Sequence, residues 1–179
     1  MSQLRSGAPL PGGQARTPSG ESAPLSDLLR GGPTALWFLR DQACVLARRH
    51  LDRMAQTAAG FEARGWRLLA VVDSDPAVLA GEIPGGGWPF PVLCGDEALF
   101  SLWGVATARS PETLGGPHVQ EAIARAKAAG FVHGTDSGSP LRLPALFLVR
   151  NGALLRCRYA AVAEDLPDPA DVLADLPNP

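Results

Sequence analysis

The sequence predicts an α/β protein built on a mixed central sheet with helices on both faces. Two short apolar runs, Thr34–Leu39 and residues 66–72, have the length and continuity of strands buried on both faces. A long amphipathic helical pattern over residues 43–63 lies between them, and such a strand–helix–strand unit makes the two strands parallel. Later in the chain, two apolar runs flank Asn151 and Gly152, the strongest short signal for an antiparallel hairpin.

The remaining segments complete this order of elements. Residues 1–24 are rich in Pro, Gly and Ser and are predicted to form an N-terminal loop or hairpin segment, while residues 25–179 form one domain. Further helices or helical turns are predicted at residues 25–30, 76–80, 96–103, 118–129 and 169–176, further strands at residues 90–94, 144–150 and Ala153–Tyr159, and a loop at residues 107–116.

Composition excludes several classes of partner. The net charge is −2, and the 16 basic residues form no cluster interleaved with aromatic residues, so we expect no nucleic acid partner. No apolar stretch approaches the ~18 residues of a membrane span, so we expect no membrane partner. The first residues have no apolar segment typical of a secretory signal, and we therefore expect a cytoplasmic protein.

Cysteines and histidines, three of each, are scattered along the chain. An odd number of widely spaced cysteines is not a disulfide framework. No two of these side chains have the short spacing usual in a zinc site, so we expect neither a metal nor a bound cofactor. The six residues are Cys44, Cys94, Cys157, His50, His118 and His133.

Cys44 stands at the start of the long predicted helix. The unpaired N–H groups and the positive end of the helix dipole favour a thiolate there, and the thiolate is the nucleophilic form of cysteine. Arg40 and Arg48 would add positive charge, whereas Asp41 would oppose the thiolate. Cys44 also lies on the apolar stripe of the helix, so a small buried hydrophobic residue is the alternative interpretation.

The other two cysteines are candidates for a second thiol. Cys94 ends the third predicted strand, and parallel strands finish at the same edge of a sheet, so it is a possible resolving partner for Cys44. Cys157 is predicted to pair near Leu146. A structural role is the alternative for both, and we expect each Cα to lie more than ~7 Å from that of Cys44, too far for a disulfide. His50 is predicted to be a solvated helix residue.

Five segments between about residues 25 and 176 share their order and spacing with a known family. They read LSDLL, ALWFLRDQAC, WPFPVLCGDEALFSLWGV, LPALFLVRNGALLRCRY and AEDLPDPADVLADL. In this order they resemble the peroxiredoxin-like branch of the alkyl hydroperoxide reductase/thiol-specific antioxidant family. The resemblance implies a thioredoxin fold, with Cys44 as the redox cysteine and Pro144 as the cis-proline beside it.

This resemblance also implies an activity, a thiol-dependent oxidoreductase of the antioxidant or peroxidase type. Its substrate would be a peroxide or a disulfide. A reductant thiol or a thioredoxin-like protein would regenerate the enzyme without a bound cofactor, and a homodimer is compatible with the family.

Several positions depart from the family pattern. Ala47 stands where a C-x-x-C motif has its second cysteine, and Val45 where a proline is usual. Asp41 replaces the threonine or serine that holds the peroxide, and the peroxide-clamping arginine aligns with Pro144, with Arg142 nearby but not equivalent. These departures leave a second hypothesis open, a redox-inactive binding module that uses the cleft beside Pro144.

Overall fold

A mixed seven-stranded sheet forms the centre of the computed structural model, which describes residues 2–178. In the sheet, the strands at residues 34–39, 67–72 and 92–94 run parallel, and every other neighbouring pair is antiparallel. The predicted α/β class with a mixed sheet is confirmed. The neighbouring strands follow the spatial order β2-β1-β5-β4-β3-β6-β7. In chain order, the strands are β1 (Gln14–Arg16), β2 (Ser22–Pro24), β3 (Thr34–Leu39), β4 (Arg67–Val72), β5 (Val92–Cys94), β6 (Ala145–Arg150) and β7 (Ala153–Tyr159).

Helices pack on both faces of this sheet, as the sequence predicts. Most of them match a predicted segment, whereas α5 falls inside a predicted loop. Its single turn is held by a capping box between Ser110 and Thr113, a signal too short to stand out from a turn. The helices are α1 (Leu25–Leu29), α2 (Val45–Ala63), α3 (Pro76–Gly81), α4 (Glu97–Leu102), α5 (Pro111–Leu114), α6 (Pro117–Ala128) and α7 (Pro169–Ala174).

Strand β3 is buried along its whole length and divides its side chains between two cores. Trp37 and Leu39 pack on one face with Leu51 of α2. Alternate residues point to opposite faces of a strand, so Phe38 lies on the other face, where its ring meets that of Phe100 in α4 edge to face at 5.1 Å. β3 therefore contributes side chains to the cores on both faces of the sheet.

The two hairpins follow the predictions with one shift of register. Asn151 (φ 52°) and Gly152 (φ 75°) both adopt the positive φ that the tight turn requires. An irregularity at Leu148 and Val149 shifts the pairing by one residue, so Cys157 lies opposite Phe147, which confirms the predicted pairing near Leu146 to within one residue.

The N-terminal segment takes part in the same sheet. Hairpin β1–β2 confirms the short hairpin expected there, and Arg16 of β1 pairs with Cys94 of β5. The division of the chain at residue 24 stays a prediction. Within residues 2–178, none of the helices is both long enough and apolar enough to cross a membrane.

Candidate functional site

Cys44 lies at the junction between β3 and α2. It is the N-cap residue of α2, its side chain is partly exposed, and its carbonyl oxygen accepts the first helical bond from Arg48 N at 3.0 Å. The helix begins later than the predicted residue 43, because the N–H groups of Ala43 and Cys44 both bond to Asp41 in a turn. The first turn of α2 has no acidic residue, so the positive end of the helix dipole faces this position uncompensated.

Asp41 is buried beside this turn, and its carboxylate is fully used in hydrogen bonds. It accepts from Ser74 Oγ at 2.8 Å, and from the N–H groups of Ser137 at 2.6 Å and Gly138 at 2.7 Å. Burial alone would raise the pKa of Asp41, but these bonds, with one from Ala43 N, hold it below the usual range. Asp41 therefore stays ionised and fastens a distant loop instead of facing a substrate.

That loop, residues 131–142, is named here the strap because it crosses the carboxyl ends of the parallel strands. Gly134 N donates to Ala43 O at 2.9 Å, and Ser139 N donates to the Asp73 carboxylate at 3.2 Å. At Gly138 a Cβ would overlap the carbonyl oxygen of Asp73, so only glycine fits this close approach. No pattern in the sequence of this segment indicates such a role.

The two arginines predicted to assist Cys44 both have other partners. Arg48 forms an ion pair with Glu82 and donates from Nε to Gln42 O at 3.0 Å. Arg40 is buried, and its guanidinium donates to the carbonyl oxygens of Arg142 at 2.7 Å and Pro140 at 2.8 Å. Both of these acceptors are uncharged carbonyl oxygens, so neither forms an ion pair with Arg40. The catalytic roles of Arg40 and Arg48 stay predictions.

Arg142 is the most buried charged side chain near the site, with 1% exposed. It donates from Nε to Asp73 at 2.8 Å, forms a second ion pair with Glu97, and lies 4.4 Å from the ring centre of Phe100. Burial would lower the pKa of Arg142, but the bonds to Glu97 and Asp73 raise it on balance. Arg142 is thus committed to holding the strap and is not available to bind a peroxide.

Pro144 packs beside the start of α2, but its peptide bond is trans, so the predicted cis bond is wrong. The residues before it form an extended bridge, with Ala108 N bonded to Leu141 O at 2.8 Å and Leu143 N to Ala106 O at 3.0 Å. This extended path continues straight into β6, and most X–Pro bonds in folded proteins are trans.

Cys94 is buried at the end of β5, with 1% exposed. Burial raises the pKa of its thiol to about 12, so it stays protonated at neutral pH. Its neighbour across the sheet is Val72, and Leu39 of β3 follows one strand further. Two strand spacings of ~4.8 Å separate Cys94 from the end of β3. Resolution of Cys44 by Cys94 stays a prediction.

Cys157 lies on the other side of the sheet. It packs with Phe147 in the core opposite α2, and burial raises the pKa of its thiol. All three cysteines are free thiols in the structure. The sheet therefore separates Cys157 from the helix that carries Cys44.

His50 is less solvated than predicted. Its Nε2 atom is buried without a hydrogen-bond partner among residues 2–178, and its ring lies 5.9 Å from that of Trp37. Burial lowers the pKa of His50 to about 4, and so the imidazole is neutral at neutral pH. It lines a pocket of about 240 Å³ between α2 and the segment leading into α7, bounded by Ala47, Pro144 and Leu166. We call this cavity the α2–α7 pocket.

Solved structures of peroxiredoxins share this fold. The peroxiredoxin-like protein from Aquifex aeolicus aligns with a TM-score of 0.65 at 11% identity, over 97% of this chain and 86% of that one. Peroxidoxin BcpB from Mycobacterium tuberculosis aligns at 0.63 and 14% identity, over 96% of both chains. Reduced Prx3 from Vibrio vulnificus aligns at 0.63 and 16% identity, over 96% of this chain and 97% of that one.

These likenesses confirm the thioredoxin-like fold predicted from the sequence. No protein-family model and no curated protein sequence matches the chain. At such low identity the likeness shows the fold alone, because the chemistry of a protein depends on the residues of its site.

Proposed function

We propose that this protein is a thiol-dependent oxidoreductase of the peroxidase type, with Cys44 as its nucleophile. The observation that carries the proposal is a partly exposed thiol at the N-cap of α2, in a fold shared with peroxiredoxins. The unpaired N–H groups of the first helical turn favour negative charge at this point. Cys94 lacks both exposure and an ionisable environment, so Cys44 is the better nucleophile of the two.

The reaction with a peroxide is a two-electron transfer. The Cys44 thiolate attacks one oxygen of the O–O bond, a sulfur–oxygen bond forms, and the other oxygen leaves as water or an alcohol after taking a proton. Cys44 is oxidised to a sulfenic acid and the peroxide is reduced. A reductant thiol then attacks the sulfur and releases water, and a second thiol breaks the resulting mixed disulfide to restore Cys44.

A single protein thiol is sufficient for this cycle. Ala47 provides no local partner, Cys94 is buried, and Cys157 lies on the other side of the sheet. The reductant is therefore a small thiol or a thioredoxin-like protein that reaches Cys44 from outside. A disulfide is the alternative substrate, since the same thiolate attacks sulfur as it attacks oxygen. We place the protein in the cytoplasm, where such thiols stay reduced, and a homodimer is compatible with this cycle.

The test is steady-state consumption of hydrogen peroxide with dithiothreitol as the reductant. We expect turnover by the wild type, its loss in Cys44→Ser, and its retention in the matched control Cys157→Ser. If Cys44→Ser consumes peroxide as fast as the wild type, the proposed function is wrong. If Cys94→Ala alone abolishes turnover, the single-thiol cycle is wrong.

A second candidate function is a redox-inactive binding module. Asp41 favours it, because a carboxylate occupies the position of the peroxide-binding hydroxyl in the family and is fully committed to Ser74 and the strap. An alkylation assay distinguishes the two candidates. A redox enzyme requires Cys44 to react with iodoacetamide faster than free cysteine at neutral pH, whereas a binding module makes no such demand.

A further inference from the structure

The α2–α7 pocket has the build of a ligand site separate from Cys44. Its wall on α2 consists of residues at helical spacing, among them Leu46, Arg49 and His50. Cys44 and Arg48, one helical turn apart, are not among the residues that line the pocket. Because Cys44 does not line the pocket, a ligand there need not contact the thiol.

Two positive charges at this pocket have no anionic partner. Arg49 is partly buried in the wall and makes no ion pair or hydrogen bond with any residue from 2 to 178. Within the described part of the chain, Arg40 donates only to carbonyl oxygens, and its buried Nε–H has no partner. Hydrogen-bonding capacity on this wall is therefore unused, which is uncommon for buried polar groups.

Both carboxylates of the pocket are already neutralised. Asp168 is bound by Arg53 in a two-point contact at 3.0 and 3.1 Å. Glu164 accepts from Arg125 at 3.3 Å. The charge left over in the pocket is positive, so an anion is the ligand that its electrostatics favour.

The floor of the pocket is apolar and small. Leu39, Ala47, Pro144 and Leu166 line it. A volume of about 240 Å³ falls below the roughly 300–1,000 Å³ typical of sites for drug-sized ligands. A fitting ligand therefore has a short apolar body and one anionic end.

The anionic end is better matched by a carboxylate than by a phosphate. A phosphate site is usually built from several backbone N–H groups. Helix α7 reaches the wall with Pro169, which has no N–H, and with the anionic cap residue Asp168. The planar fork of a single free arginine provides two parallel donors, which is enough for the two oxygens of a carboxylate.

We propose that the α2–α7 pocket binds a small monocarboxylate, with its carboxylate at Arg49 and its apolar body against Pro144 and Leu166. Neutral His50 lies beside Arg49 and adds a polar contact without adding charge. This site is a new function of the chain, and it holds whether or not Cys44 is a redox nucleophile.

The test uses benzoate as the probe, with titration calorimetry and amide ¹⁵N–¹H spectra of the full chain. Benzoate at millimolar concentration should shift the amide signals of Ala47, Arg49 and Ala163. Replacing Arg49 by Gln should weaken binding about tenfold or more, the loss expected for one charge-assisted contact. The exposed Arg109→Gln is the matched control and should bind benzoate like the wild type.

The other outcomes overturn the proposal. Equal binding of the neutral analogue benzamide would show that the positive charge is irrelevant. Tighter binding of inorganic phosphate at the same amides would identify a phosphate site, and no shift with benzoate would exclude the carboxylate class. Cys44→Ser should bind benzoate unchanged, which separates this result from the fate of the proposed function.

Discussion

Asp41 and Gly138 lie 97 positions apart in the sequence, yet the Asp41 carboxylate accepts the Gly138 N–H at 2.7 Å. The neighbouring N–H of Ser137 bonds to the same oxygen at 2.6 Å. One buried charge thus joins the turn before Cys44 to the strap. The position of the strap over the site depends on this carboxylate being ionised.

Replacing Asp41 by Asn should therefore loosen the strap and destabilise the fold. An amide offers one acceptor oxygen in place of two, so we expect the free energy of unfolding to fall by about 2–3 kcal/mol at neutral pH. Urea unfolding measures this change, and hydrogen exchange at Ser137 and Gly138 should accelerate. The exposed Asp136→Asn in the same strap is the control and should change stability by less than about 0.5 kcal/mol.

Protonation of Asp41 in acid should lower the stability of the fold. Its pKa is lowered in the folded state, so its contribution is present above the unfolded pKa of about 3.9 and is lost as the pH falls below it. The wild type should lose its advantage over Asp41→Asn in that acidic range. An advantage that stays constant down to the lowest measurable pH would contradict the assignment.

Replacing Gly138 by Ala tests the close approach of the strap to β4. A Cβ there meets the carbonyl oxygen of Asp73, which is backbone and cannot turn away. We expect a loss of about 2–4 kcal/mol in the free energy of unfolding. Gly85→Ala, where a Cβ meets no atom, is the matched control. Similar unfolding curves for the two variants would exclude the contact.

His50 should make the fold less stable in mild acid. Burial lowers its pKa from 6.5 to about 4. Between these values the unfolded chain binds a proton that the folded protein does not, so stability falls as the pH decreases through that window. His50→Gln removes this proton and should flatten the stability curve between pH 6.5 and about 4. Equal slopes for wild type and variant would show that His50 is solvated.

Much of this fold could be predicted from the sequence because its strongest signals are local. Thr34–Leu39 is a continuous apolar run, and Asn151 with Gly152 specifies a turn, so both strands and hairpin lie where expected. Cys44 lies at the start of α2, as expected from the amphipathic helical pattern that comes after the apolar run. The partners of Asp41 could not be predicted, since they lie about a hundred residues away and are backbone N–H groups with no side-chain signature.

The two errors at the site have the same origin. The peptide bond at Pro144 is trans, and Leu143 before it is hydrogen-bonded to a distant loop through Ala106. The surroundings of His50 include residues 163–169, which lie far from it in the sequence. A helix pattern shows which residues share a side of α2, but not what covers that side.

The most direct test of the central claim is to trap a sulfenic acid on Cys44. The wild type is treated with one equivalent of hydrogen peroxide and dimedone, without a reductant, and the labelled peptides are identified by mass spectrometry. We predict a label on Cys44 and none on Cys94, whose burial raises its thiol pKa to about 12. An unlabelled Cys44, with the same dimedone adducts in the wild type and in Cys44→Ser, would contradict the redox role and leave the binding module.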